Sequence, residues 1–186
     1  MATVTTTWRR YKIEVIELLS IPEDIYNNLY EQTIKSIEST FNWTLFGLKD
    51  ASYEERKVWF LDKYKECIEL DDHFCILITQ DDFPRCLVGG KIVDNYLNLF
   101  LLLYGANTAG TKSDLFDIDD AMVTRDLAQS KGCIGTETFV EKDSGLYKRL
   151  RTRPLIDGET FIEEFAGNIS KNRELYRLRW TLDPNA

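Results

Sequence analysis

The nine residues Gly105-Ala106-Asn107-Thr108-Ala109-Gly110-Thr111-Lys112-Ser113 follow an apolar run from Tyr96 to Tyr104 and open a stretch of helical pattern. Small side chains leave backbone amides uncovered, and a helix start adds unpaired N–H groups and the positive end of its dipole, so the loop reads as an anion site suited to phosphate. Its spelling nearly matches the GxxxxGK[ST] phosphate loop of nucleotide-binding proteins, but Thr111 stands between Gly110 and Lys112. A nucleotide-binding reading stays open as an alternative, although the three strands expected upstream suit a meander better than a parallel nucleotide sheet. Both readings put phosphate at this loop.

A second group of residues is cationic. Lys148, Arg149, Arg151 and Arg153 lie within six residues, and the segment from Lys142 to Trp180 has nine bases against six acids in a chain whose net charge is -8. The cluster is either a solvated helix face or a phosphate-facing patch. The acidity of the whole disfavours nonspecific binding to nucleic acid, which rests on cations displacing counterions. His73 is the one histidine and has no nucleophile motif near it, so a hydrolytic triad is not expected. Cys67, Cys75, Cys86 and Cys133 form no CxxC pair; they read as reduced, buried thiols, and no metal is expected.

The elements that must position these residues follow from periodicity. A chain of 186 residues with 44% hydrophobic and 29% charged residues suits one domain over residues 1–186. No apolar leader opens it, and its longest apolar run is well short of the ~20 residues that span a bilayer. We therefore expect a cytoplasmic protein without a membrane segment. Trp8 to Leu19 reads as a strand. Ser20-Ile21-Pro22-Glu23 and Ser52-Tyr53-Glu54-Glu55 are capping-box patterns that open two helices, to about Ser39 and to Leu70. Three antiparallel strands follow, at His73–Gln80, Arg85–Asp94 and Tyr96–Tyr104, with turns at Asp81–Pro84 and at Asp94-Asn95 and a bulge at Gly89-Gly90. After the loop come a helix from Ser113 to Ser130 stopped by Gly132, a strand from Cys133 to Val140, a short helix from Ser144 to Arg151, and strands at Thr160–Ala166 and Tyr176–Leu182.

The resulting order, βααβββαβαββ, resembles the GNAT superfamily of acyl-CoA N-acyltransferases along nearly the whole chain. The resemblance implies a single α/β (α+β) domain with a mixed, mostly antiparallel sheet and helices on both faces. It also implies acetyl-CoA or another acyl-CoA as cosubstrate, an amine acceptor and no metal. The family's loop pattern, Gln or Arg, two residues, Gly, one residue, Gly or Ala, aligns with Asn107, Gly110 and Lys112, and only the glycine agrees. Carried over, the backbone from Leu101 to Leu103 pairs with the pantetheine arm. Asn107, Thr108, Ala109, Gly110, Thr111, Lys112 and Ser113 then hold the pyrophosphate, with Lys112 able to meet a phosphate directly.

Asp143-Ser144-Gly145-Leu146-Tyr147-Lys148-Arg149-Leu150 resembles the family's later helix, where a Leu-Tyr pair precedes a basic turn. That resemblance gives Tyr147 the role of acid to the departing thiolate, which a phenol with an ordinary pKa near 10 can fill within a hydrogen bond. Glu137 is the best-placed general base by topology, ahead of Asp94 and Asp82. The acceptor is a small metabolite or protein amine ahead of an amine on a nucleic acid. Tyr26, Tyr30, Trp43 and Phe46 stand where either an acceptor cleft or the core would use aromatics. The closing strand either pairs with a second copy in a homodimer or lies inside the sheet. A GNAT-like scaffold that has lost its chemistry and serves as a binding module is the competing reading.

Overall fold

The structure, a computed structural model, describes residues 3–8, 11–37, 43–104 and 118–183. The loop expected to hold phosphate, with its seven expected contact residues Asn107 to Ser113, lies outside the described residues. The chain divides into two compact units, one of residues 1–90 and 101–113, the other of residues 91–100 and 114–186.

The first unit begins with two strands where one is expected. β1 (Thr3–Trp8) and β2 (Tyr11–Glu17) pair antiparallel, with Thr3 opposite Ile16 and Trp8 opposite Tyr11. The sequence reading passes over the first because a threonine-rich terminus shows no apolar alternation, yet threonine is a strong β-former. Helix α1 (Glu23–Ile37) starts once the Pro22 carbonyl accepts the Tyr26 N–H at 2.9 Å, so Pro22 lies just outside the helix. A short 3-10 turn (Trp43–Phe46) precedes α2 (Tyr53–Glu69). Here the capping box forms as expected: the Ser52 hydroxyl accepts from the Glu55 N–H, and the Glu55 carboxylate accepts from the Ser52 N–H.

β3 (His73–Gln80), β4 (Phe83–Val93) and β5 (Tyr96–Tyr104) then follow. They are joined by the two-residue turns Asp81-Asp82 and Asp94-Asn95, all four residues at φ between 49° and 66°. Two successive positive φ values make type I′ turns, which match strand twist and for which Asp and Asn are well suited. The first turn is therefore two residues tighter than expected, and β4 starts at Phe83.

The core of this unit is aromatic on the helix side and aliphatic on the sheet side: Tyr26, Tyr30, Phe60 and Tyr64 meet Cys75, Leu77, Leu87, Leu101 and Leu103. Burying each leucine is worth about 1.5–3 kcal/mol. Gly89 is set by close packing, since a Cβ there would lie 3.0 Å from the Cys67 Sγ and 3.1 Å from Leu101. All four cysteines are free and buried, and burial pushes the Cys67 thiol up to about 11.

The second unit takes over the end of β4 and the first half of β5, then adds α3 (Ile118–Ser130), β6 (Gly135–Glu141), α4 (Gly145–Arg151), β7 (Glu159–Ser170) and β8 (Arg173–Leu182). Gly132 ends α3 with φ +71°, and the Cys133 N–H returns to the Ala128 carbonyl at 2.8 Å, as in a Schellman motif. β8 lies between β6 and β7 and is antiparallel to both. β7 and β8 form a longer hairpin than the alternation shows, because a register shift between Phe165 and Gly167 interrupts the pattern without ending the strand. Gly167, at φ +139°, supplies that irregularity.

Along the chain's hydrogen bonds the strands are ordered β1-β2-β3-β4-β5-β6-β8-β7. This is an α+β, mixed and mainly antiparallel arrangement. Among the described residues no helix is long and apolar enough to cross a membrane.

Candidate functional site in the second unit

β5 and β6 run parallel but share only three residue pairs, Tyr96 with Gly135, Leu97 with Thr136 and Asn98 with Glu137. On its other side Gly135 lets β6 lie close against β8: a Cβ there would fall 2.0 Å from the Trp180 carbonyl oxygen. One residue past the last pair, the Thr138 hydroxyl donates to the Leu99 carbonyl at 2.8 Å, so a side chain takes the acceptor that a longer ladder would give to a backbone N–H. β5 continues to Tyr104 and β6 to Glu141 beyond their common register. Leu101 and Leu103 turn their side chains into the first unit's core, at 6% and 0% exposure, which leaves the backbone as the part of this stretch available for a ligand role.

Glu137 is 3% exposed. Its Oε1 accepts from Asn98 Nδ2 at 2.8 Å, and its Oε2 accepts from Arg179 Nε and Nη2 at 3.1 and 2.8 Å. The Arg179 guanidinium in turn lies 4.1 Å from the centre of the Tyr96 ring, whose hydroxyl meets Thr181 Oγ1 at 2.8 Å. A buried carboxylate demands this many donors, because an unpaired charge at such a place is not tolerated.

Tyr147 sits in the first turn of α4, whose N-cap Ser144 accepts its backbone N–H at 3.0 Å. Its ring is buried among Val140, Leu150, Leu178 and Trp180 and stands edge-on to Tyr176 at 5.8 Å. The phenol O–H donates to Glu163 Oε1 of β7 at 2.6 Å, while Glu163 Oε2 pairs with Arg151 Nε at 2.8 Å. The carboxylate's acceptance of its proton, with burial second, holds the Tyr147 phenol above its ordinary pKa; Arg151 opposes that shift.

The cationic cluster is divided in use. Arg153 forms a two-bond pair with Glu159 at 2.7 and 2.9 Å, both side chains nearly inaccessible, and lies 4.7 Å from the Trp180 ring centre. Arg151 belongs to Glu163, and Lys148 remains exposed. Two of the four bases thus serve the hairpin of β7 and β8 and not a phosphate-facing patch. Of the aromatics, Tyr26, Tyr30 and Trp43 are core, and Phe46 is 44% exposed and packs on Trp59 at 5.1 Å. His73 stands at the start of β3, 2.6 Å from the Asp72 carboxylate.

The sequence reading missed Asn98, Arg179 and Glu163. A signal for Glu163 exists in retrospect: on β7 it shares a face with Phe161 and Phe165, and an acid between two aromatics at two-residue spacing needs a partner.

No family model matches this chain, and no curated protein matches it in sequence. Solved structures do. The PaiA N-acetyltransferase of Thermoplasma acidophilum, in complex with coenzyme A, is 14% identical over 89% of this chain and 97% of its own, with a TM-score of 0.52. The N-acetyltransferase PseH of Campylobacter jejuni is 11% identical over 91% and 97%, with a TM-score of 0.51. An uncharacterised protein of Bacillus halodurans is 8% identical over 97% and 90%, with a TM-score of 0.64.

Proposed function

We propose that this chain, which has the fold of the GNAT N-acetyltransferases, is an acyl-CoA-dependent N-acyltransferase that moves a short acyl group, acetyl in the first instance, to an amine. The observation that carries the reading is likeness to GNAT structures over about nine-tenths of the chain, with a Leu-Tyr pair at the start of α4. In this proposal the acceptor is a small metabolite or protein amine and the protein works in the cytoplasm.

The backbone from Leu101 to Leu103 pairs with the pantetheine arm as an added strand would. Amides of Asn107 to Ser113, with the Lys112 ammonium, receive the pyrophosphate. Tyr147 gives its phenolic proton to the sulfur as the thioester opens, and a phenol held above its ordinary pKa is the weaker acid, so this transfer needs the phenol to be resupplied with a proton as its own leaves. Glu137, whose two oxygens already receive three N–H bonds, enters the proposal as the charge that fixes the register of β5 and β6. The base that takes the amine's proton must then be a carboxylate with a freer oxygen or an exchangeable proton nearby.

A thermal melt tests the binding half. Acetyl-CoA at a hundred times its Kd stabilises by about 2.7 kcal/mol, a rise in Tm of roughly 5–10 °C for a chain of this size. Absence of any rise sinks the proposal, and a rise with ATP and magnesium instead returns the nucleotide reading. Release of thiol on addition of an amine panel, slowed in Tyr147→Phe by about a hundredfold, tests the chemistry. Binding without release on any acceptor identifies a scaffold without catalysis.

A further inference from the structure

Tyr147 cannot lose its proton where it stands without creating a phenolate 2.6 Å from the Glu163 carboxylate. Two negative charges at hydrogen-bond distance do not both persist; one of them carries the proton. The groups around the pair do little to relieve this. From α4 comes one cation, Arg151, on the far oxygen of Glu163 with a side chain 57% exposed. From β8 comes Tyr176, edge-on to the Tyr147 ring, with Lys142 5.5 Å from its ring centre. β6 contributes Val140, and the neighbouring acid on β7, Glu164, is taken up by Arg177. An acid that acts alone from this position would work against its own hydrogen-bond partner.

Resting on the acyltransfer reading, we infer that Glu163 and Tyr147 act as a two-residue proton relay, in which Glu163 receives the acceptor amine's proton and Tyr147 delivers one to the departing thiolate. The amine nitrogen bonds to the acyl carbon and the carbon–sulfur bond breaks. The nitrogen's proton passes to Glu163, directly or through one water; the Tyr147 proton passes to sulfur; the Glu163 proton passes back along the 2.6 Å bond to the phenol oxygen. One proton has moved from nitrogen to sulfur, both residues return to their starting forms, and no phenolate rests beside a carboxylate. This assigns the general base to β7, on the strength of a side chain that touches the acid itself. It also gives Arg151 a part: bound to Oε2, it leaves Oε1 to face the phenol.

The decisive variant is Glu163→Gln. Its amide oxygen still accepts from the Tyr147 hydroxyl, so the ring stays in place, but the amide cannot take up a proton. Thermal melts and acetyl-CoA binding by calorimetry verify that folding and the affinity for acetyl-CoA stay within about twofold of the parent. Thiol release is then followed from pH 5 to 10. The expected result is a loss of about a hundredfold in kcat and disappearance of the acid limb of the kcat profile. Glu163→Asp should recover part of that limb. Adding Tyr147→Phe to Glu163→Gln should lose little more than the worse single variant, as two members of one device do. A Glu163→Gln protein with parental turnover and profile overturns the relay while leaving the acyltransfer reading intact, and so do losses that simply multiply in the double variant. A parent protein that neither binds acetyl-CoA nor releases thiol overturns both.

Discussion

Two glutamates of the second unit lie in strands of one sheet, and their surroundings differ in kind. Glu137 is met by donors that never surrender a proton at ordinary pH, the Arg179 guanidinium and the Asn98 amide. Glu163 shares a hydrogen bond whose proton can cross, with a phenol, and its cation is half in solvent. The first arrangement fixes charge; the second can move it. Burial differs as well, since Glu137 is 3% exposed and the Glu163 side chain 21%. What separates a structural carboxylate from a reactive one here is the chemistry of the atom that it touches.

The largest effect expected from breaking this contrast is on the static side. Arg179→Ala leaves Glu137 buried with one partner of two, and the loss of a buried partner costs about 3–5 kcal/mol, read from urea denaturation. The double variant Arg179→Met/Glu137→Leu should regain most of that, because removing both charges removes the desolvation problem. Recovery would establish that Glu137 contributes nothing that an apolar residue cannot supply. Gly135→Ala comes next, at about 3 kcal/mol. Its Cβ meets backbone at 2.0 Å, which no side-chain rotation relieves, so β6 must part from β8. Denaturation that shows less than about 1 kcal/mol would mean that the two strands can shift together.

The contrast between these clusters also measures what the sequence alone reveals. The capping box at Ser52, the bounds of β5, the stop at Gly132 and the Asp94-Asn95 turn are local, written within four or five residues, and all are legible. Through a resemblance and not a local rule, and with its role belonging to the proposal, Tyr147 is legible as one half of a Leu-Tyr pair. Its partner is not: Glu163 is 16 residues further on, in another element, and is joined to it only by folding. Glu137 was visible as an acid on a strand but not as an ion pair, because Arg179 lies 42 residues away. β1 escaped because strand pairing, not a local pattern, defines it. Chemistry carried by one residue can be read from the chain; chemistry carried by a pair separated in sequence waits for the fold.

A smaller effect follows from the proton on Tyr147. The folded phenol is held above its unfolded value, so its contribution to stability is fully present below about pH 10 and is lost as the pH rises through the higher folded value. Denaturation of the parent and of Tyr147→Phe at pH 8 and near pH 11 should therefore converge, since the phenylalanine variant has no such contribution to lose. Tyr26 and Tyr64, also raised by burial, are common to both proteins and cancel. In the Glu163→Gln background the convergence should be smaller and complete at lower pH, because the carboxylate that disfavours the phenolate is gone. A gap that stays constant with pH in the parent would separate Tyr147 from Glu163 electrically and weaken the relay.

The smallest expected change in stability is at Arg151. Its side chain is 57% exposed and its ion pair with Glu163 reaches into solvent, so Arg151→Ala should shift the folding free energy by no more than about 0.5 kcal/mol. Its effect on turnover should be disproportionate. Without the guanidinium nothing holds Oε2 away from the phenol, so thiol release should fall severalfold while the melting temperature barely changes. Salt gives the same test without mutagenesis, because an exposed pair is screened over about 8–10 Å and the short bond to the Tyr147 phenol is not. Turnover that falls with salt in the parent and stands still in Arg151→Ala would tie the exposed cation to the relay. Equal salt dependence in both would leave Arg151 as surface charge and confine the relay to Glu163 and Tyr147.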